Sequence, residues 1–393
     1  MSRPLSLFAS LSLVAAACGG ISGTPDAAPP VDGDTPPDST PTDDGGTPRA
    51  RSVVKAERPF EMAAATATMR KSFTTAGGRV LLVAAGSGRT SGTFYGLGMN
   101  LFVDNAYVGS CETATNEFAS NKVFARSTLV LDLPAGTHTL SIEPKVDSIA
   151  KTVMDGNNFV DVTVIELGDA AKVSRIADGE AGVQTHDTPF VAGGGPGILF
   201  LSGSGWRTTN EDPTIGLQAL VDNQAAGTIV TFSNEIDSHK QFVPGQFVLA
   251  PAAGRHQLRL VPTGVTHWDA WDPISALWLE LGNDVVVTQL LKQAQDLPQE
   301  KRITTQGGQL LVFASGSAWS SAGGAIEATF KLDGQALGSL RSVTTEAASH
   351  KALVPAVFIA KPAAGEHTLS VADGPATNTD ANDYFNVTVV ELP

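Results

Sequence analysis

The sequence predicts an all-β protein: three tandem antiparallel β-sandwich modules, jelly-roll-like, behind a signal peptide and a disordered linker. Three observations carry this. One set of landmarks recurs three times in fixed order, short alternating or fully apolar runs are separated by turn residues, and helical spacing is sustained nowhere.

Residues 1–17 read as an export signal. Arg3 and the amino terminus give a positive start, and Leu5 to Ala17 is an apolar run of 13 residues, shorter than the ~20 that span a bilayer. The run ends in Ala15-Ala16-Ala17-Cys18-Gly19-Gly20. That ending resembles the lipobox of bacterial lipoproteins, and the resemblance implies that Cys18 becomes lipidated after cleavage. Ala15 and Ala17 also satisfy an ordinary A-x-A cleavage site.

Residues 18–50 follow as anchor and tether. Six Asp, many Pro, Thr and Gly, and the single Arg49 leave no apolar period, so the segment is expected to stay disordered and extended.

The remainder divides into 51–168, 169–282 and 283–393. The segments from Gly77, Gly193 and Gly307 open each copy with a glycine turn and an apolar strand. Turns then recur at Asp104-Asn105, Asp222-Asn223 and Asp333-Gly334, and glycines at 109, 227 and 338. Next come Ser120-Asn121-Lys122, Ser238-His239-Lys240 and Ser349-His350-Lys351, with a Glu five residues before each Lys. Histidines 138, 256 and 367 follow a Pro-Ala turn, and Glu166, Glu280 and Glu391 stand in the closing strands. Runs such as HTLSI and VDVTVIEL alternate or run apolar, and about eight strands per copy favour a jelly roll over an immunoglobulin-like sandwich. Residues 285–295 carry some helical spacing but match the opening strands of the other two copies.

The closing strands, VTVIEL and VTVVEL after a Gly-x-His-Thr-Leu strand, resemble those of trimeric jelly rolls of the complement globular-head and tumour-necrosis-factor-like class. That resemblance implies that three modules in one chain form an intramolecular pseudo-trimer. A string of separate beads is the other arrangement the short linkers permit.

Function is written less plainly. A net charge of −14 disfavours nucleic acid. With Cys18 lipidated, Cys111 has no partner and reads as a plain thiol. No nucleophile sits on a G-x-S-x-G turn, no glycine cluster precedes a helix, and no zinc-type spacing occurs, so no enzyme activity and no cofactor are expected. The Lys–Glu pairs read as surface or inter-strand ion pairs. The recurrent histidines read as strand starts bonded to turn carbonyls, and the closing-strand glutamates as edge caps. The Asp/Asn loops at 155–158 and 378–383 leave calcium open as a ligand.

The second copy holds four of the five tryptophans, and its Trp206, His267, Trp268, Asp269, Trp271 and Asp272 form a set suited to stacking on sugar rings and accepting hydrogen bonds from hydroxyls; Trp278 lies within a strand. The expectation is an exported, lipid-anchored protein of a bacterial outer membrane or cell surface, otherwise periplasmic or secreted. Its role is binding, adhesion or assembly, with a glycan or an envelope protein as ligand. A structural spacer and a carbohydrate-active hydrolase or accessory module are the alternatives.

Overall fold

In the first module ten strands form two antiparallel sheets in the computed structural model, which describes residues 51–92, 95–117, 119–147, 151–181, 186–209 and 211–393. The expected signal segment, Cys18 and the acidic tether lie outside those residues. The strands are β1 (Val53–Ala64), β2 (Met69–Thr75), β3 (Gly78–Thr90), β4 (Tyr95–Val103), β5 (Ala106–Thr115), β6 (Asn121–Val123), β7 (Ser127–Leu133), β8 (Gly136–Pro144), β9 (Thr152–Val153) and β10 (Phe159–Leu167). One sheet runs β1-β10-β3, with β7 and β6 along the far side of β3; the other runs β2-β8-β4-β5. This alternation of successive strands between two sheets is the winding of a jelly roll. The other modules repeat it, one from Lys172 to Glu280 and the next from Val286 to Leu392. The described residues are therefore all-β, three tandem sandwich modules.

Two turn features fix the geometry locally. The β4–β5 hairpin closes on Asp104-Asn105 with both φ angles positive, at 51° and 66°, and Asp222-Asn223 does the same at 50° and 65°. Such a two-residue loop matches the strand twist, and Asn and Asp tolerate it best after Gly. The recurrent glycines serve a close approach: a Cβ on Gly227 would meet the Phe247 ring at 2.2 Å, and one on Gly338 would meet Phe358 at 2.7 Å.

The two sheets of each module face different neighbours. Along β3, Val80, Leu82 and Ala84 point into the module's own core with Phe60, Met99, Leu101 and Val162. Leu81 and Val83 point the other way, into a second core shared by all three modules with Ile198, Phe200, Leu279, Leu311, Phe313 and Val390. A sheet buried on both faces needs a continuous apolar run, which is what VLLVAA, ILFL and LLVFA supply. The outer sheet alternates instead, with Leu140 and Ile142 inward.

Contacts run around the ring of modules. The first module's opening and closing strands touch the third module's Ala356–Ala360, the second's touch β7 of the first, and the third's touch the second's Gly245–Leu249. At one end the module junctions bond one another: Ser52 Oγ donates to Asp284 Oδ1 at 2.5 Å and accepts from Gly282 N at 2.6 Å.

Candidate functional site

At the meeting of the three short strands around β6, equivalent charged residues converge. Carboxylate oxygens of Glu117, Glu235 and Glu346 lie within 4.8 Å of one another. Each is met by its own module's lysine: Lys122 at 2.9 Å, Lys240 at 2.6 Å and Lys351 at 2.6 Å. Serines tie neighbours together, Ser238 donating to Glu117 and Ser120 to Glu346 at 3.0 Å. Burial, reinforced by Lys351 and Lys240, pushes Lys122 down to about 7. Burial alone would raise Glu117, yet Lys122, Lys240 and Lys351 together hold it below its ordinary range. Three carboxylates, each paired with its own module's lysine, form a staple between modules. The sequence shows the Lys–Glu pairing; it does not show that these lysines are buried where three modules meet.

Beside the staple lie two serine–aspartate–histidine networks. Asp272 Oδ1 accepts from Ser204 Oγ at 2.8 Å and pairs with His239 Nδ1 at 2.9 Å. Asp383 does the same with Ser317 at 2.9 Å and His350 at 3.0 Å. In the first module the bridge is neutral: Asn158 Nδ2 donates to Asn121 Oδ1 at 2.8 Å. The serine bonds the carboxylate and not the imidazole, so the set lacks the serine–histidine contact of a hydrolytic triad. An amide pair spanning the same gap shows that the bridge pins the last loop to the short strand.

Of the sequence-selected residues, Trp268 packs into the second module's core and Asp272 is fully buried in the network above. Neither offers a face to a ligand. Trp206 and His267 do come together, ring centroids 5.2 Å apart, with His267 exposed and Asp269 and Trp271 partly so. Trp278 is core.

The three strand-start histidines stay within their own modules. His138 Nδ1 pairs with Asp104 at 2.6 Å while Nε2 meets the Pro134 carbonyl at 2.9 Å. His256 meets Asp222 and Ala252, and His367 meets Asp333 and Ala363, in the same way. With an acceptor on each ring nitrogen, the cationic form is favoured: the Asp104 hydrogen bond raises the His138 pKa, and the same bond lowers that of Asp104. The closing-strand glutamates cap the glycine turns, Glu166 accepting from Ala76 N at 3.0 Å and Glu280 from Gly195 N at 3.1 Å. Cys111 is buried, and burial pushes its thiol up to about 12.

The concave feature that stands out is a cleft of about 340 Å³ between the first and second modules, where Tyr107, Ser110, Glu112, Arg126, Asp178 and Ser275 face one another. Arg175, in the place of Arg58, still donates across this interface to Val130 O, but the other groups that cross are shorter here. Between the third and first modules, Arg58 lies 5.0 Å over Phe358 and bonds Asp161. Between the second and third, Lys292 lies 5.6 Å from the Phe247 centroid and reaches Ala226 O at 3.0 Å, while Asn386 reaches Pro244 O at 3.1 Å. At the first–second interface the place of Lys292 is taken by Asp178, that of Asn386 by Ser275, and that of Phe247 by Leu129. Shorter side chains leave the gap open. Arg126 stands where the other modules have Pro244 and Pro355; its guanidinium lies 5.3 Å from the Phe200 centroid and donates to Gly245 O at 3.2 Å. Tyr107 is 60% exposed at the mouth. Sequence reading missed this cleft because it arises only from comparing three interfaces, although Arg126 against two prolines is visible in the repeat alignment.

Fold and site together define a three-module jelly-roll protein with an asymmetric inter-module cleft. No protein-family description matches the sequence, and no curated protein does. Among solved structures, the chain is similar to PNGF-II at 8% identity, covering 77% of this chain and 98% of that one with a TM-score of 0.28. It is similar to PNGase F, a glycosylasparaginase from Flavobacterium meningosepticum, at 8% identity, 57% and 96% coverage and a TM-score of 0.32. An archaeal virus protein described as a triple jelly roll fold shows 9% identity, 87% and 91% coverage and a TM-score of 0.19.

Proposed function

We propose that the chain is an exported envelope protein, lipid-anchored through Cys18, that binds a glycan in the cleft between its first and second modules. The observation that carries this is the broken equivalence of the interfaces: where Lys292 and Asn386 cross from the third module to the second, Asp178 and Ser275 leave a polar gap between the second and the first. An exposed tyrosine ring suits a pyranose face, and hydroxyls and carboxylates suit sugar hydroxyls. Glu112 is held by Lys145 at 2.7 Å and Asp178 by Arg175 at 3.4 Å. Carboxylates kept in ion pairs accept hydrogen bonds from sugar hydroxyls, which supports the binding reading.

A glycan array probed with the purified chain tests the reading. Binding that is lost in Tyr107→Ala and Asp178→Ala, with folding retained, supports it; no glycan bound, or binding indifferent to both changes, contradicts it. Fractionation tests the anchor: Cys18→Ala should move the protein from membrane to soluble fractions.

A further inference from the structure

We propose that the chain binds a divalent transition-metal ion at each of two equivalent sites, one between His239 Nε2 and Asp269 Oδ2, the other between His350 Nε2 and Asp380 Oδ2. The argument begins with the imidazoles. Each gives its Nδ1 to a buried carboxylate, Asp272 at 2.9 Å or Asp383 at 3.0 Å. That bond sets the tautomer and leaves the Nε2 lone pair pointing away, the arrangement a carboxylate imposes on a metal-ligating histidine. Nε2 then faces Asp269 Oδ2 at 3.8 Å and, in the third module, Asp380 Oδ2 at 3.9 Å. These separations are too long for a hydrogen bond and fit two ligands sharing one ion at about 2.0–2.2 Å each with a wide angle.

The facing carboxylates are held too. Asp269 Oδ1 accepts from Trp271 N at 2.8 Å and Asp380 Oδ1 from Asn382 N at 2.7 Å, which leaves Oδ2 for the gap. Both aspartates are part-exposed, so water completes the coordination.

The first module supplies an internal comparison. There the histidine position is Asn121, and Arg89 Nε lies 3.1 Å from Asp155 Oδ2, a cation provided by the chain itself. In the other two modules the position of Arg89 holds Trp206 and Trp319, each centred 5.9 Å from its imidazole and each with a buried Nε1 that has no partner. The two copies that keep the histidine are the two that lack the built-in cation. One imidazole and one carboxylate per site select zinc, nickel or copper(II) over calcium, which takes six to eight oxygens.

Equilibrium dialysis of the chelator-treated full chain against zinc chloride at neutral pH tests this, with cobalt(II) absorption as a second readout. Two ions per chain are expected, one in Asp269→Asn and none in Asp269→Asn with Asp380→Asn, at unchanged circular dichroism. His239→Asn with Asp272→Asn copies the first module's amide bridge and should remove one ion even if the carboxylate variants misfold. No bound zinc at millimolar concentration, or two ions retained in the paired variants, overturns the proposal.

Discussion

Arg58, in the first strand of the first module, lies over the ring of Phe358 in the third and forms an ion pair with Asp161. Both side chains of that pair are buried, and Met62 N donates to the same carboxylate at 2.9 Å. Burial raises the pKa of Asp161, with Arg58 opposing. Arg58→Ala removes the counter-charge and leaves a buried carboxylate without it. We expect a loss of about 3–5 kcal/mol in denaturant unfolding. Lys292→Ala, which removes a cation from beside Phe247 without stranding a carboxylate, should lose about 1 kcal/mol. Equal losses would contradict the assignment.

The three His–Asp pairs give stability a pH dependence. The folded pKa of His138, His256 and His367 is raised, chiefly by the aspartate hydrogen bond. Their contribution is therefore complete below the unfolded imidazole value of about 6.5 and is lost as pH rises through the raised folded value. Asp104, Asp222 and Asp333 are lowered. Their contribution is complete above about 3.9 and is lost as pH falls through the lowered folded value. The pairs thus stabilise most between about pH 4 and 6.5. Replacing all three histidines with Gln should flatten the Tm profile above pH 6.5; an unchanged slope would show that the pairs contribute nothing.

Cys111 should be inert while the protein is folded. Its Sγ lies 3.4 Å from Ala84 O inside the first core, and a thiol pushed up to about 12 holds almost no thiolate at neutral pH. Labelling by a thiol reagent should track global unfolding. Fast labelling of the native chain would contradict the burial.

The repeats, the strands and the turn types are legible in the residues, because Asp-Asn and Pro-Ala-Gly turns and period-two runs are local signals. A further signal lies in the contrast between sheets. VLLVAA and its counterparts are apolar at every position, as a sheet buried on both faces requires, while HTLSI alternates. The bond from His138 to the Pro134 carbonyl is local as well, whereas Glu166 reaches the Ala76 turn from ninety residues away. The meeting of Glu117, Glu235 and Glu346 is not local. It depends on how modules dock, through side chains more than a hundred residues apart. The sugar-stacking reading of the tryptophan loop falters at Trp268 for a related reason: the loop turns back on Asp272, bonded to Ser204 and His239, and carries Trp268 inward. The cleft is the least legible feature, being a difference between three interfaces made by Asp178, Ser275 and Leu129.

Filling that cleft tests the account most directly. Asp178→Lys places at the first–second interface the residue that stands as Lys292 at the next, where the ammonium reaches Ala226 O; here it would reach the equivalent carbonyl of Val108. Titration calorimetry with the glycan that the wild-type chain binds should show affinity falling at least about tenfold, some 1.4 kcal/mol, with the unfolding midpoint unchanged or raised. Unaltered affinity in a folded Asp178→Lys chain would contradict the cleft as the binding site.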